Sequence, residues 1–167
     1  MSSVFWLPSD GSERHCLWLR PRGGEWLCED VLALRQEGVE VVVSMLTVLE
    51  EQELGLNRES AVVREIGMAF YAWPLRDREI PDSMFAWGRR FRALEPELCG
   101  RSIAVHCRQG IGRSSLWLAA WRAWEKKPVS ESLTLLEKVR GRPVPDTAEQ
   151  IDWLQRWEER LKLGALS

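Results

Sequence analysis

A chain of 167 residues is long enough to bury one good hydrophobic core and short for two, so a single domain over residues 1–167 is expected. Its 45% apolar and 29% charged residues exclude a disordered chain. A net charge of −2 excludes a general attraction to nucleic acid or to an anionic membrane surface.

No apolar run approaches the length of a membrane span, and Met1 to His15 lacks the basic start and long apolar core of a signal peptide. A cytoplasmic, monomeric protein without membrane insertion is therefore expected. The four cysteines, Cys16, Cys28, Cys99 and Cys107, show no metal-binding pair spacing. His15 adjoins Cys16, but with two histidines in the whole chain neither a metal site nor another cofactor is expected.

In chain order, Ser9-Asp10-Gly11-Ser12 reads as a turn and Cys16 to Leu19 as a first short strand. Pro21-Arg22-Gly23-Gly24 breaks the chain before a helix from about Trp26 to Gln36, with Gly38 just past its end. Val39 to Leu46 is almost wholly apolar and rich in β-branched residues, the pattern of a buried parallel strand. Thr47 heads an acidic helix closed by Gly55, and a further helix over Arg58–Ile66 ends at Gly67. Met68 to Trp73 reads as the next buried strand and carries the only tyrosine, Tyr71.

A charged loop, Leu75-Arg76-Asp77-Arg78-Glu79-Ile80-Pro81, follows Pro74. Asp82 or Ser83 caps a helix with apolar residues at 84, 87, 91, 94 and 98, and Gly100 ends it. Ile103-Ala104-Val105 is a short buried strand, and Ser114 to Lys126 is helical with Trp117, Trp121 and Trp124 at core spacing. Pro128 precedes a helix over Ser130–Arg140, and Pro143-Val144-Pro145-Asp146 leads into a last helix from Thr147 to about Lys162. Strands alternate with helices, so the expected fold is α/β, with a central, mainly parallel sheet flanked by helices.

Between the Ile103 strand and the Ser114 helix lies His106-Cys107-Arg108-Gln109-Gly110-Ile111-Gly112-Arg113-Ser114. Strand, glycine-bearing loop and helix start aim backbone N–H groups at an anion. Gly110 and Gly112 remove the Cβ atoms that would stop the backbone curling round a bound group. A thiol in that cradle ionises more easily than a free one, and the Arg113 fork fits two phosphate oxygens at once.

These residues resemble the H-C-x5-R-S signature of the cysteine-based protein tyrosine phosphatase superfamily, with every defining position present. Asp77 stands thirty positions ahead of Cys107, and Asp77 to Pro81 resembles the D-x-x-x-P acid loop of the dual-specificity branch. The Trp-Pro-Asp loop of classical tyrosine phosphatases is not matched, because Trp73-Pro74 is followed by Leu75. Arg20 to Gly24, Val42 to Leu46 with Glu50 to Leu56, and Pro143 to Gln150 look like bacterial small phosphatases, similar to the cyclin-dependent kinase inhibitor-associated phosphatase group.

The resemblance implies a phosphotyrosine protein phosphatase-like fold and hydrolysis of a phosphorylated protein or peptide through a phosphocysteine. Cys107 is then the nucleophile, and residues Arg108, Gln109, Gly110, Ile111, Gly112 and Arg113 hold the phosphate. Asp77 is the acid, with Glu79 and Asp82 as fallbacks, and Ser114 supports the leaving thiolate. His106 shapes the loop. Gln150 either positions the hydrolytic water, as a glutamine does in some relatives, or completes a capping box with Thr147, the simpler reading. A phosphoinositide or other small phosphomonoester stays open as substrate, as do a rhodanese-like sulfurtransferase and a phosphate-binding module without catalysis.

Overall fold

The computed structural model describes residues 3–9, 11 and 13–166. Five strands form one sheet: β1 (Val4–Trp6), β2 (His15–Trp18), β3 (Val41–Ser44), β4 (Ala69–Ala72) and β5 (Ile103–His106). The helices are α1 (Leu27–Gln36), α2 (Val48–Glu53), α3 (Glu59–Glu65), α4 (Met84–Leu98), α5 (Gly112–Trp124), α6 (Val129–Arg140) and α7 (Ala148–Lys162). Sheet order is β1-β2-β5-β3-β4, with β1 antiparallel to β2 and every other pairing parallel.

β5 is central, with β2 on one side and β3 on the other, so Ser44 lies opposite His106 in the register. Strand side chains alternate between faces. Ile103 and Val105 enter the core formed with α4, α5, α6 and α7, whereas Ala104 enters the smaller core under α1 and α3. The same alternation carries His106 to the α3 side and Cys107 to the α5 side, so the fold parts two residues that are neighbours in sequence.

The larger core is tryptophan-rich. Phe91 of α4 is fully buried and its ring contacts those of Trp73, Trp117, Trp121 and Trp157 at centroid distances of 5.0–5.7 Å. Such offset and edge contacts are favourable geometries for aromatic rings. They pack α4 and α7 around α5, whose buried face is nearly continuous, and so hold the start of α5 rigidly behind the cysteine loop.

Two expectations need correction, and the choice between two candidate caps is decided. The first strand is β1, which the sequence reading missed, and the strand expected first is β2, beginning at His15. β4 is an edge strand rather than a fully buried one: Phe70 is buried but Ala72 is exposed. Ser83, not Asp82, caps α4, its hydroxyl accepting the Ala86 N–H at 3.1 Å. Of the expected turn at Ser9 to Ser12, Asp10 and Ser12 lie outside the described residues.

Candidate active site

Residues 107–111 join the C-terminal end of β5 to the first turn of α5, the crevice position at which open α/β sheets bind ligands. Gly110 takes a left-handed φ of 67°, and a Cβ there would press on Leu19 and the Trp18 carbonyl at 3.2–3.3 Å. Gly112 is needed for space: a Cβ would collide with the carboxylate of Asp146.

Cys107 is buried, with its Sγ 3.4 Å from the Ser114 hydroxyl. Burial alone would raise the thiol. The Ser114 hydroxyl, the Ser114 N–H, the Arg113 charge and the Ile111 N–H together outweigh it and hold Cys107 below the ordinary thiol value.

Arg113 is 1% exposed, and Glu50 of α2 grips it by both terminal nitrogens, at 2.6 Å (Nη1) and 2.9 Å (Nη2). Nη1 also donates to the Leu75 carbonyl at 2.8 Å. Nε is buried and has no hydrogen-bond partner. A guanidinium has five donors in a fixed fork. Glu50 thus fills one edge of the fork and leaves Nε with the outer Nη2 proton as the edge able to take an oxyanion.

That open edge faces the loop after β4. A turn bond from the Glu79 N–H to the Arg76 carbonyl (3.2 Å) brackets Asp77 and Arg78, with Arg78 in the left-handed region at φ 65°. Asp77 Oδ1 lies 3.7 Å from Arg113 Nε, and its side chain is 62% exposed. A low-lying thiol, a guanidinium edge and an accessible carboxylate therefore meet at one place.

The family model described as "Polymorphic toxin system, DSP-PTPase phosphatase" matches residues 19–127, more than half of the chain. The chain belongs to this family. Its fold is that of the cysteine-based, dual-specificity type of protein tyrosine phosphatase. It is similar to the kinase associated phosphatase KAP with its catalytic cysteine changed to serine (TM-score 0.80, 21% identity, 97% of this chain and 96% of that one). It also resembles Tk-PTP in the active form (0.71, 20% identity, 95% and 97%) and PTPMT1 in complex with PI(5)P (0.69, 19% identity, 90% and 94%). No curated protein sequence matches the chain.

Within this phosphatase fold the side chains of Cys107 and Ser114 adjoin, and Asp77 lies beside Arg113. The side chains of Arg108 and Gln109 do not join them. Both residues are exposed, and Arg108 pairs outward with Glu53 at 3.0 Å. Of the fallback acids, Glu79 is held by Arg76 at 3.0 Å and Asp82 lies beside the helix cap.

Gln150 is fully buried in the capping box of α7. Its Oε1 accepts the Thr147 N–H (3.3 Å) and its Nε2 donates to the Glu79 carbonyl (3.1 Å). It thus ties α7 to the end of the acid loop rather than presenting an amide to water. Among the described residues, no group of three or more His, Cys, Asp and Glu side chains is placed to hold a metal ion. No helix of the described residues is long and apolar enough to cross a membrane.

Two carboxylates escaped sequence reasoning. Glu50 is the third residue of α2, and its capping box with Thr47 was detectable in the string Thr-x-x-Glu. Its grip on Arg113 was not. Glu59 begins α3, is 1% exposed and meets His106; no local pattern marks it.

Proposed function

We propose that this chain hydrolyses phosphomonoesters on phosphoproteins, with phosphotyrosine as a substrate and phosphoserine and phosphothreonine admitted as well, through a phosphocysteine on Cys107. The whole chain acts as one cytoplasmic phosphatase domain. The observation that carries the reading is the buried Cys107 thiol, held below its ordinary value, beside an Arg113 whose buried Nε makes no hydrogen bond within the protein.

In the first step the Cys107 thiolate attacks phosphorus, an S–P bond forms and the ester P–O bond breaks. Asp77 gives its proton to the leaving oxygen. Charge on the equatorial oxygens is met by the loop N–H groups and the open edge of Arg113. In the second step water attacks phosphorus and gives a proton to the Asp77 carboxylate. The S–P bond breaks, inorganic phosphate departs, and the Ser114 hydroxyl stabilises the returning thiolate.

Two features of the mouth favour a phosphoprotein over a multiply phosphorylated lipid. Of the cations around the two loops, Arg76 and Arg108 are paired with Glu79 and Glu53, which reduces the positive charge open to further phosphates. Val48 and Leu49, 67% and 63% exposed, start the helix that holds Arg113 and give flanking peptide residues an apolar ledge. Tyr71 lies on β4 rather than on the cysteine loop or the acid loop, in keeping with broad specificity.

The test is a panel of phosphopeptides, phosphoinositides, a small aryl phosphate and thiosulfate offered to the purified protein. Turnover of phosphopeptides well above phosphoinositides supports the reading. Preference for the lipids, sulfur transfer from thiosulfate, or phosphate binding without turnover would each replace it.

A further inference from the structure

His106 and Glu59 lie on the opposite side of β5 from the Cys107 side chain, and both are buried, at 0% and 1% exposure. His106 Nε2 is 2.6 Å from Glu59 Oε1, and Nδ1 is 3.2 Å from the Cys107 carbonyl oxygen. Trp18 meets the imidazole edge-on at 5.3 Å, which closes the site on the β2 side.

Counting protons constrains this unit. A carbonyl oxygen only accepts, so the proton of the Nδ1 contact belongs to His106. A carboxylate also only accepts, so the Nε2 contact needs a second proton, carried on either side of a 2.6 Å gap. The pair therefore holds one proton more than a neutral imidazole beside a carboxylate, and its net charge is zero. Consistent with that, burial opposes charge on His106 but the Glu59 carboxylate outweighs it and raises the imidazole. The titratable groups acting on the pair are Glu51 of α2 and Cys107 itself.

The consequence falls on the phosphate loop. The Cys107–Arg108 peptide is trans, so its C=O and N–H point in opposite directions. A carbonyl held back toward α3 turns the Arg108 N–H to the side where the Cys107 thiol lies. Arg20 does the same for the next peptide, donating from Nε to the Arg108 carbonyl at 3.1 Å, but from the surface.

We propose that Glu59 is a positioning residue of the phosphate loop: through the proton it shares with His106 it holds the Cys107 carbonyl back and so aims the Arg108 N–H at the bound phosphate. This role rests on the phosphatase reading above for its purpose, but not for its test. Glu59→Leu removes the group that meets Nε2 and leaves the ring unanchored. Glu59→Gln is the conservative control, because Nδ1–H stays on the Cys107 carbonyl while the glutamine N–H donates to the bare Nε2.

The experiment measures orthovanadate affinity and the pH dependence of Cys107 alkylation by iodoacetamide, neither of which needs turnover. In Glu59→Leu, vanadate binding should weaken about tenfold and the thiol pKa should rise by about one unit, the scale of one misdirected donor. Glu59→Gln, which keeps both contacts, should stay near wild type in both. If Glu59→Leu does not fold, the double variant Glu59→Leu/His106→Leu, which buries no unpaired imidazole, decides in its place and should show the same weakening. Unchanged vanadate affinity and thiol pKa in the folded leucine variant would overturn the proposal, as would a folded Glu59→Gln as weak as Glu59→Leu. Should the wild type hydrolyse no phosphoester while these shifts appear, the positioning role stands and the proposed function falls.

Discussion

Removing the charge of Glu50 is the perturbation whose effect can be worked out furthest. In Glu50→Gln one oxygen remains for the Arg113 Nη1 and Thr47 N–H contacts, but the new amide N–H faces the Arg113 Nη2 that now sits 2.9 Å from a carboxylate oxygen. Turning the amide over moves the clash to Nη1 and Thr47. Arg113 is 1% exposed and cannot reach water, whereas Glu50, at 12%, is slightly open. Breaking a fully buried pair by deleting one charge costs about 3–5 kcal/mol. Since Arg113 keeps the Leu75 carbonyl and Glu50 is slightly open, we expect less than that, about 2–3 kcal/mol, read as a lowered urea midpoint with unchanged slope.

The loss should depend on pH. Burial opposes ionisation of Glu50, but the bonds to Arg113 and Thr47 outweigh it and lower the carboxyl. The stability it contributes is therefore complete above about pH 4.3, the ordinary glutamate value, and fades as pH falls through the lower folded value. The gap between wild type and Glu50→Gln should close in that acid range. Because the guanidinium is then loosely held, kcat should fall about 10–100-fold, the penalty of a misplaced transition-state group. A variant within 0.5 kcal/mol of wild type at pH 7 with kcat intact would refute the reasoning that Glu50 sets the Arg113 fork; that threshold is about the spread of neutral surface changes.

Arg113→Lys should be almost inactive in a phosphopeptide assay, because an ammonium offers no second donor edge beside Glu50; near-normal kcat would remove Arg113 from the phosphate clamp. Asp77→Asn should slow a phosphopeptide by about 10²–10⁴-fold, slow an activated aryl phosphate less, and flatten the basic limb of the rate profile. Equal loss on both substrates, or the larger leaving-group effect at Asp82, would assign the acid elsewhere. Far from the site, burial, then the nearby Glu13 charge, pushes the Glu125 carboxyl up to about 7, so its ionisation opposes folding as pH rises from the ordinary value toward 7. Glu125→Gln should thus raise stability at pH 8 by about 2 kcal/mol and change it little at pH 4, as thermal unfolding at the two pH values would reveal.

The parts of the fold that could be read from the sequence are those encoded contiguously. β5, the cysteine loop and α5 follow one another without interruption, and the signature residues carry their own geometry in the two glycines and the helix start. The Val41–Ser44 strand was visible because a central parallel strand is apolar on both faces. β1 was not, since three residues are too few to display a period and its partner strand lies across a turn. The Thr47 and Thr147 capping boxes were legible as local spacings, but what their third residues touch was not. Glu50 reaches Arg113 across 63 positions and Gln150 reaches Glu79 across 71. Such contacts are decided by how elements pack. Glu59 is the extreme case, an acidic residue at a helix start that would ordinarily be solvated and is instead buried against His106.

The most direct test of the central claim is chemical. A phosphopeptide reaction quenched in acid during turnover, then digested and mapped by mass spectrometry, should yield a phosphoryl group on the peptide containing Cys107, and none when Cys107 is replaced by serine and turnover is lost. Steady turnover with no phosphoryl group on Cys107, or turnover surviving Cys107→Ser, would contradict a phosphocysteine mechanism at this loop.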